Sequence, residues 1–334
     1  FEMMKKTTSA LAIAALLGTG VASAATFQVN DDTSMTVGGD FQANYTETND
    51  AAGDGKTSFA DNGSSLVFAG ETVHSNGITT DFYLDFDGYN DLTGDTASTF
   101  KTDEYSIGFS GNFGEIRIGA EGDVTGPVFD VADIAEEGGV YLLGAESDRV
   151  LQYYSNDMNG VSFAVQAQLN GDNQQDGANT SNTSFAGYLE ADLGTVVVGA
   201  GYAQRSNTVD EPLMGLMAST SIGGIGLTAS YVKDDNKDAE SDITALSADY
   251  SYGAGSVYGT IQSVSFEAAP TREELLDEDD DNKTNAQSDD SFTQYIVGVN
   301  YSITSNAYVY GELGSYGADN DEGDYTSVGV VYSW

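Results

Sequence analysis

The sequence predicts an all-β fold, a sixteen-stranded antiparallel transmembrane β-barrel. Three observations predict it. Segments of about ten residues alternate apolar with small or polar side chains, the period of a strand. The connections between these segments alternate short with long. No helical period of useful length appears beyond the first two dozen residues.

Those first residues stand apart. Lys5 and Lys6 precede the apolar run Ala10 to Leu17, and Ala22-Ser23-Ala24 places small residues at a cleavage position. This is the pattern of a secretory leader, and its apolar core is far shorter than the roughly 20 residues of a spanning helix. Residues 1–24 are therefore expected to be a signal peptide, with Phe1 and Glu2 as a short extension ahead of Met3, and residues 25–334 to be the barrel.

Composition removes several classes. The chain has 334 residues with no cysteine, three prolines and 40 glycines, which excludes a disulfide scaffold and a thiolate metal site. With 53 acidic against 11 basic residues, the formal charge is −42, and such a surface repels phosphate backbones, so no nucleic-acid partner is expected. A salty habitat fits the same charge, because at about 1 M salt the Debye length falls to about 3 Å and crowded carboxylates repel one another little.

The alternation is clean in each segment. Met35, Val37, Phe41, Ala43 and Tyr45 share one face, with Thr36, Gly38, Asp40, Gln42 and Asn44 on the other. Ile78, Phe82, Leu84 and Phe86 oppose Thr79, Asp81, Tyr83 and Asp85. Val161, Phe163, Val165, Ala167 and Leu169 oppose Ser162, Ala164, Gln166 and Gln168. Tyr295, Val297, Val299 and Tyr301 oppose Gln294, Gly298, Asn300 and Ser302, and Val328, Val330, Tyr332 and Trp334 close the chain.

Short turns read at Ser75 to Gly77, Gly111 to Gly114, Asn156 to Gly160, Leu193-Gly194, Gly223-Gly224, Gly253 to Gly255 and Thr304 to Asn306. Between them lie polar, acidic stretches at about 47–62, 88–102, 122–147, 170–183, 205–212, 233–242, 265–290 and 315–323. Seven short and eight long connections in strict alternation give sixteen strands, with both ends of the barrel chain on the short-turn side. Lipid offers no hydrogen-bond partner, so a sheet within it must close on itself. The polar face then lines an aqueous lumen, and tyrosine and phenylalanine near strand ends suit the interfacial girdles.

Several stretches resemble the Gram-negative general porin family of trimeric, sixteen-stranded diffusion channels. Leu66 to Glu71 resembles its second strand, Glu104 to Gly119 its fourth-to-fifth strand hairpin, and Arg149 to Val161 its sixth strand and following turn. The aromatic last residue resembles its carboxy-terminal assembly signal, with Trp334 where phenylalanine is usual. The resemblance implies a homotrimer in the outer membrane of a Gram-negative cell, surrounded by lipid and lipopolysaccharide and passing small hydrophilic solutes and cations. It also implies that the third long loop folds inward as the constriction. Here that loop reads Gly126-Pro127-Val128-Phe129-Asp130, a departure from the family's common proline-glutamate-phenylalanine-glycine segment.

On that reading the pore constriction comprises Asp123, Asp130, Asp133, Glu136 and Glu137, with Glu146 following and Arg149 the first basic residue after them. In the family such a loop faces a basic cluster on the wall. Arg117 is the candidate here, because Ile116 and Ile118 take the lipid side and alternation turns Arg117 inward, while Arg149 is free to face either way. Unpaired carboxylates in a narrow passage favour cations, so cation preference is expected. No enzyme, cofactor or metal site is expected: His74 is the sole histidine, and the acidic run Glu273 to Asp281 lacks the glycine and closing glutamate of a calcium loop. The alternatives are a substrate-selective channel, or a structural or adhesive barrel that works through acidic surface loops.

Overall fold

The computed structural model describes residues 24–50, 53–89, 99–122, 124–130, 132, 134–137, 146–171, 182–204, 212–235, 240–266, 291–317 and 323–334. Of the leader expected at 1–24, only Ala24 is among them. The strands are β1 (Ala25–Asn30), β2 (Thr33–Asn49), β3 (Gly55–Ala60), β4 (Ser65–Val73), β5 (Thr79–Tyr89), β6 (Thr99–Gly111), β7 (Gly114–Gly122), β8 (Glu146–Tyr154) and β9 (Val161–Gly171). They continue as β10 (Asn182–Asp192), β11 (Val196–Gln204), β12 (Pro212–Ile222), β13 (Ile225–Asp234), β14 (Ser241–Ser251), β15 (Gly255–Phe266), β16 (Ser291–Thr304), β17 (Ala307–Ser315) and β18 (Tyr325–Ser333). One helical turn, α1 (Gly126–Phe129), follows β7.

These eighteen described segments make sixteen wall strands. The long strand β2 pairs along one edge with β4 through Thr33 to Asp40 and with β3 through Asn44 to Asn49, so β3 and β4 are two halves of one wall strand. Along its other edge it pairs with β18 through Asp40 to Thr48 and with β1 through Thr33 to Val37. Thus β1 continues the line of β18, and the ring closes antiparallel with every neighbour in chain order. Closure satisfies the backbone of both would-be edges.

Two expectations about the first hairpins are corrected. The turn at Asp31-Asp32 between β1 and β2 is an eighth short connection, hidden because β1 is only six residues long. The first long connection, expected at 47–62, is largely strand: β2 runs to Asn49 and β3 begins at Gly55, because the two pair with each other from Asn44↔Ala60 to Asn49↔Gly55. The other expected turns sit where strands reverse. At Gly223-Gly224 both residues have positive φ (62° and 86°), which lets Ile222 face Ile225 across a two-residue hairpin.

Side chains sort by face as the alternation requires. Phe41, Tyr45, Ile107, Leu151, Val165, Leu216, Leu246, Val297, Val328 and Trp334 all point outward and are exposed. Inward positions carry Ser106, Arg117, Gln152, Gln166, Gln168, Thr260, Gln262, Gln294, Glu312 and Ser327, all buried. The inversion of an ordinary soluble protein, greasy outside and polar inside, is the signature of a wall between lipid and water. One bulge alters it. Between the pairs Leu84↔Tyr105 and Phe86↔Thr102, β6 has one residue too many, so Asp103 and Glu104 both fall on the inner side.

Candidate functional site

The third long connection enters the ring. Gly122 carbonyl accepts from Gln152 Nε2 at 2.9 Å, and Val124 N–H donates to Gln166 Oε1 at 3.4 Å, steering the chain inward from β7 along β8 and β9. At α1, Pro127 occupies the first turn, where its missing N–H costs nothing. Val128 and Phe129 lie buried among Leu213, Met217 and Val232 on the inner face of β12 and β13. Farther on, Thr260 of β15 donates to the Ala132 carbonyl at 2.7 Å.

The segment then fastens to the wall of β16, β17, β18 and β2. Glu312 is 2% exposed, and its carboxylate accepts the successive backbone N–H groups of Glu136 and Glu137 at 2.8 and 3.1 Å. The same carboxylate accepts the hydroxyls of Tyr258 at 2.7 Å and Tyr325 at 2.6 Å. Glu136 accepts from Tyr308 OH at 2.8 Å and Asn300 Nδ2 at 3.1 Å. Glu137 accepts from Asn44 Nδ2 at 2.5 Å, Tyr310 OH at 2.9 Å and Thr46 Oγ1 at 3.0 Å. Asn62, in the break between β3 and β4, donates to the Glu136 carbonyl at 2.9 Å.

The described part of the segment therefore follows the inner wall from β8 and β9 round to β2. Arg117 lies on β7. It is 3% exposed and points inward, donating to Glu115 Oε1 at 2.5 Å, Ser106 Oγ at 2.9 Å and Asp81 Oδ1 at 3.3 Å. Farther along β5, Asp85 accepts from Tyr83 OH at 3.1 Å through Oδ2, while its buried Oδ1 has no donor among the described residues. Asp40 and Asp103 stand close enough for their charges to act on Asp85. Among the described residues Asp40 accepts from the neutral donors Gln42 and Ser65.

The sequence-predicted residues thus divide. Glu136 and Glu137 come together, but against tyrosine, asparagine and threonine donors of the near wall, not opposite Arg117. Arg117 is matched by two carboxylates of its own wall. Asp130 caps α1, its N–H donating to the Gly126 carbonyl at 3.0 Å. Arg149 is exposed in a bulge of β8, at a φ of 56°. Asp123 and Asp133 lie outside the described residues, as does the acidic run Glu273 to Asp281. His74 is exposed beside the first long-strand turn, its Nε2 3.0 Å from Thr80 Oγ1.

Sequence reasoning missed Glu312, the four tyrosines and the inward turn of Asp103; Asp40 and Asp85 it placed on the lumen face without assigning them to the site. A signal was present for the first: Glu312 is a carboxylate at an inward strand position, flanked by the outward Leu313 and Gly311. For Asp103 there was none, since the bulge that turns it inward depends on pairing register.

A family model described as Gram-negative porin matches residues 7–322. A protein named monosaccharide porin from Halomonas sp is 28% identical over 366 residues, covering 98% of this chain and all of the relative. The major outer membrane protein of Halomonas elongata matches to the same extent, 28% identical and covering 98% of this chain. Among solved structures, the anion-selective porin from Comamonas acidovorans superposes with a TM-score of 0.70 at 18% identity, covering 91% of this chain and all of that one.

Proposed function

Because the chain belongs to the Gram-negative porin family, and so forms an outer-membrane channel for passive diffusion of solutes and is no enzyme, we propose that its lumen favours cations over anions and passes small neutral sugars. The reading rests on one observation: the inner wall carries Asp85 within electrostatic reach of Asp40 and Asp103, while its buried guanidinium, Arg117, is already matched by Asp81 and Glu115. A passage between that wall and the segment presents negative charge to a permeating ion, and rings of carboxylates favour cations. On this reading residues 122–147 narrow the channel, with the wall acids rather than Glu136 and Glu137 setting its sign.

Sugar passage draws support from the Halomonas relative, whose name carries that solute. The anion-selective Comamonas porin, at 18% identity, shares the fold alone. We further propose a homotrimer embedded among lipid and lipopolysaccharide, exported with residues 1–24 as its leader. Reversal potentials across a planar bilayer under a KCl gradient test the selectivity: a cation-selective sign is expected, weakened when Asp85→Asn and Asp103→Asn are combined. An anion-selective sign in the unaltered protein overturns the proposal.

A further inference from the structure

The inner face of the barrel mixes polar and apolar positions, and its largest apolar patch runs from β11 to β16, where Leu213, Met217 and Val232 lie buried around Val128 and Phe129 and continue into Ile243, Val264, Phe266 and Phe292. Three inward glycines shape this patch. A Cβ added at Gly215 would meet the Phe129 ring atoms Cδ1 and Cε1 at 2.8 Å, and one at Gly201 would meet Cε1 at 3.0 Å. At Gly199 it would meet Val128 Cγ2 at 3.3 Å. The wall is recessed where the ring enters, so the missing side chains set how deeply the segment lies against it.

We infer that Phe129 and its glycine recess, Gly201 and Gly215, determine the channel's size limit: the ring is a peg whose depth fixes how far residues 124–137 stand out into the lumen. This rests on the proposed narrowing by that segment. The recess is made of strand backbone, which a closed ladder holds rigidly, whereas the segment is a connection held by side chains. When the two compete for space, the segment moves. Filling the recess pushes it toward the lumen and narrows the passage; shortening the peg lets it settle back and widens it.

The opposite signs make the test sharp. Full-length protein carrying Gly215→Val, Phe129→Ala, or both is reconstituted, with heat-modifiable gel migration confirming a folded barrel. Gly215→Ala replaces Gly215→Val if the latter does not assemble. Single-channel conductance and liposome swelling with neutral sugars of increasing size are then measured. Gly215→Val is expected to lower conductance and slow the larger sugars severalfold, Phe129→Ala to raise both, and the pair to return near the unaltered protein. Singles that shift in the same direction, or a double variant no nearer the original than either single, overturn the peg. Glu312→Ala separates the premises: if it changes conductance while the recess variants do not, the peg alone falls; if none of them does, the narrowing falls with it.

Discussion

Replacing Glu312 by alanine removes an acceptor from four donors at once: two backbone N–H groups of the inner segment and the hydroxyls of Tyr258 and Tyr325. Hydrogen bonds to a charged group contribute about 1.5–3 kcal/mol each, so four nominally exceed about 6 kcal/mol. Bonds sharing one acceptor are not additive, and water from the lumen satisfies part of the loss. Taking half leaves about 3 kcal/mol, or roughly a hundredfold in the equilibrium between fastened and released segment. The barrel ladder is untouched, so the loss falls on this one attachment. Hydrogen exchange of detergent-solubilised protein, followed by mass spectrometry, should show the Glu136 and Glu137 amides exchanging about a hundredfold faster while the amides of β16 keep their rate. Channel current should become noisier in step. Glu312→Gln, which keeps one carbonyl acceptor but turns an NH2 toward an N–H, should fall between. If the alanine variant exchanges at the original rate at both amides, Glu312 does not hold the segment.

Other perturbations probe the wall. Arg117→Ala leaves the half-buried Asp81 and Glu115 without their cation, at a cost of up to about 3 kcal/mol; a lowered urea midpoint of barrel unfolding, with stronger cation selectivity in the folded fraction, is the expected pair of results, and an unchanged midpoint counts against the ion pairs. Val297→Arg puts a charge at the middle of β16 on the outward face and should destabilise the folded barrel by about 2–4 kcal/mol in lipid. The same change tolerated without loss would mean that Val297 does not face hydrocarbon. Asn44→Leu removes one donor from Glu137 while two remain, so a smaller, severalfold rise in Glu137 exchange is expected, measured as for Glu312.

Most of the architecture is legible in the primary structure because a barrel wall has two solvents, and each strand must answer both. The alternation at Val161 to Leu169 or Tyr295 to Tyr301 cannot be satisfied by a helix, and turns such as Gly223-Gly224 announce their reversals. Legibility fails where pairing, not composition, decides. Glu47 to Asn49 and Lys56 to Ala60 look like loop, since most of them are polar, and become strand because each finds a partner strand across the ladder. Asp103 looks outward by counting from Tyr105 and turns inward through a bulge. At the inner segment, Glu136 and Glu137 are acidic in a loop expected to be acidic, and nothing local marks them as anchored; their partners Tyr308, Tyr310 and Glu312 lie more than 170 residues away in the chain.

This separates two kinds of carboxylate that a net charge of −42 treats alike. Those of Glu136, Glu137 and Glu312 have their oxygens taken by neutral donors, so their charge is spread into tyrosine, amide and backbone dipoles and works to hold a connection in place. Asp81 and Glu115 are spent on Arg117. Asp85 has a single neutral donor, the Tyr83 hydroxyl, and lies within electrostatic reach of Asp40 and Asp103, so a cation in the lumen that enters the field of all three carboxylates lowers their mutual repulsion. Selectivity should therefore follow the acids left over after the fold has used the rest. Neutralising a fastened glutamate should alter conductance noise and size limit with little change in reversal potential, whereas neutralising Asp85 should do the reverse. A reversal potential that moved equally in both cases would show that the charges act as one diffuse field and that their hydrogen bonding is irrelevant to permeation.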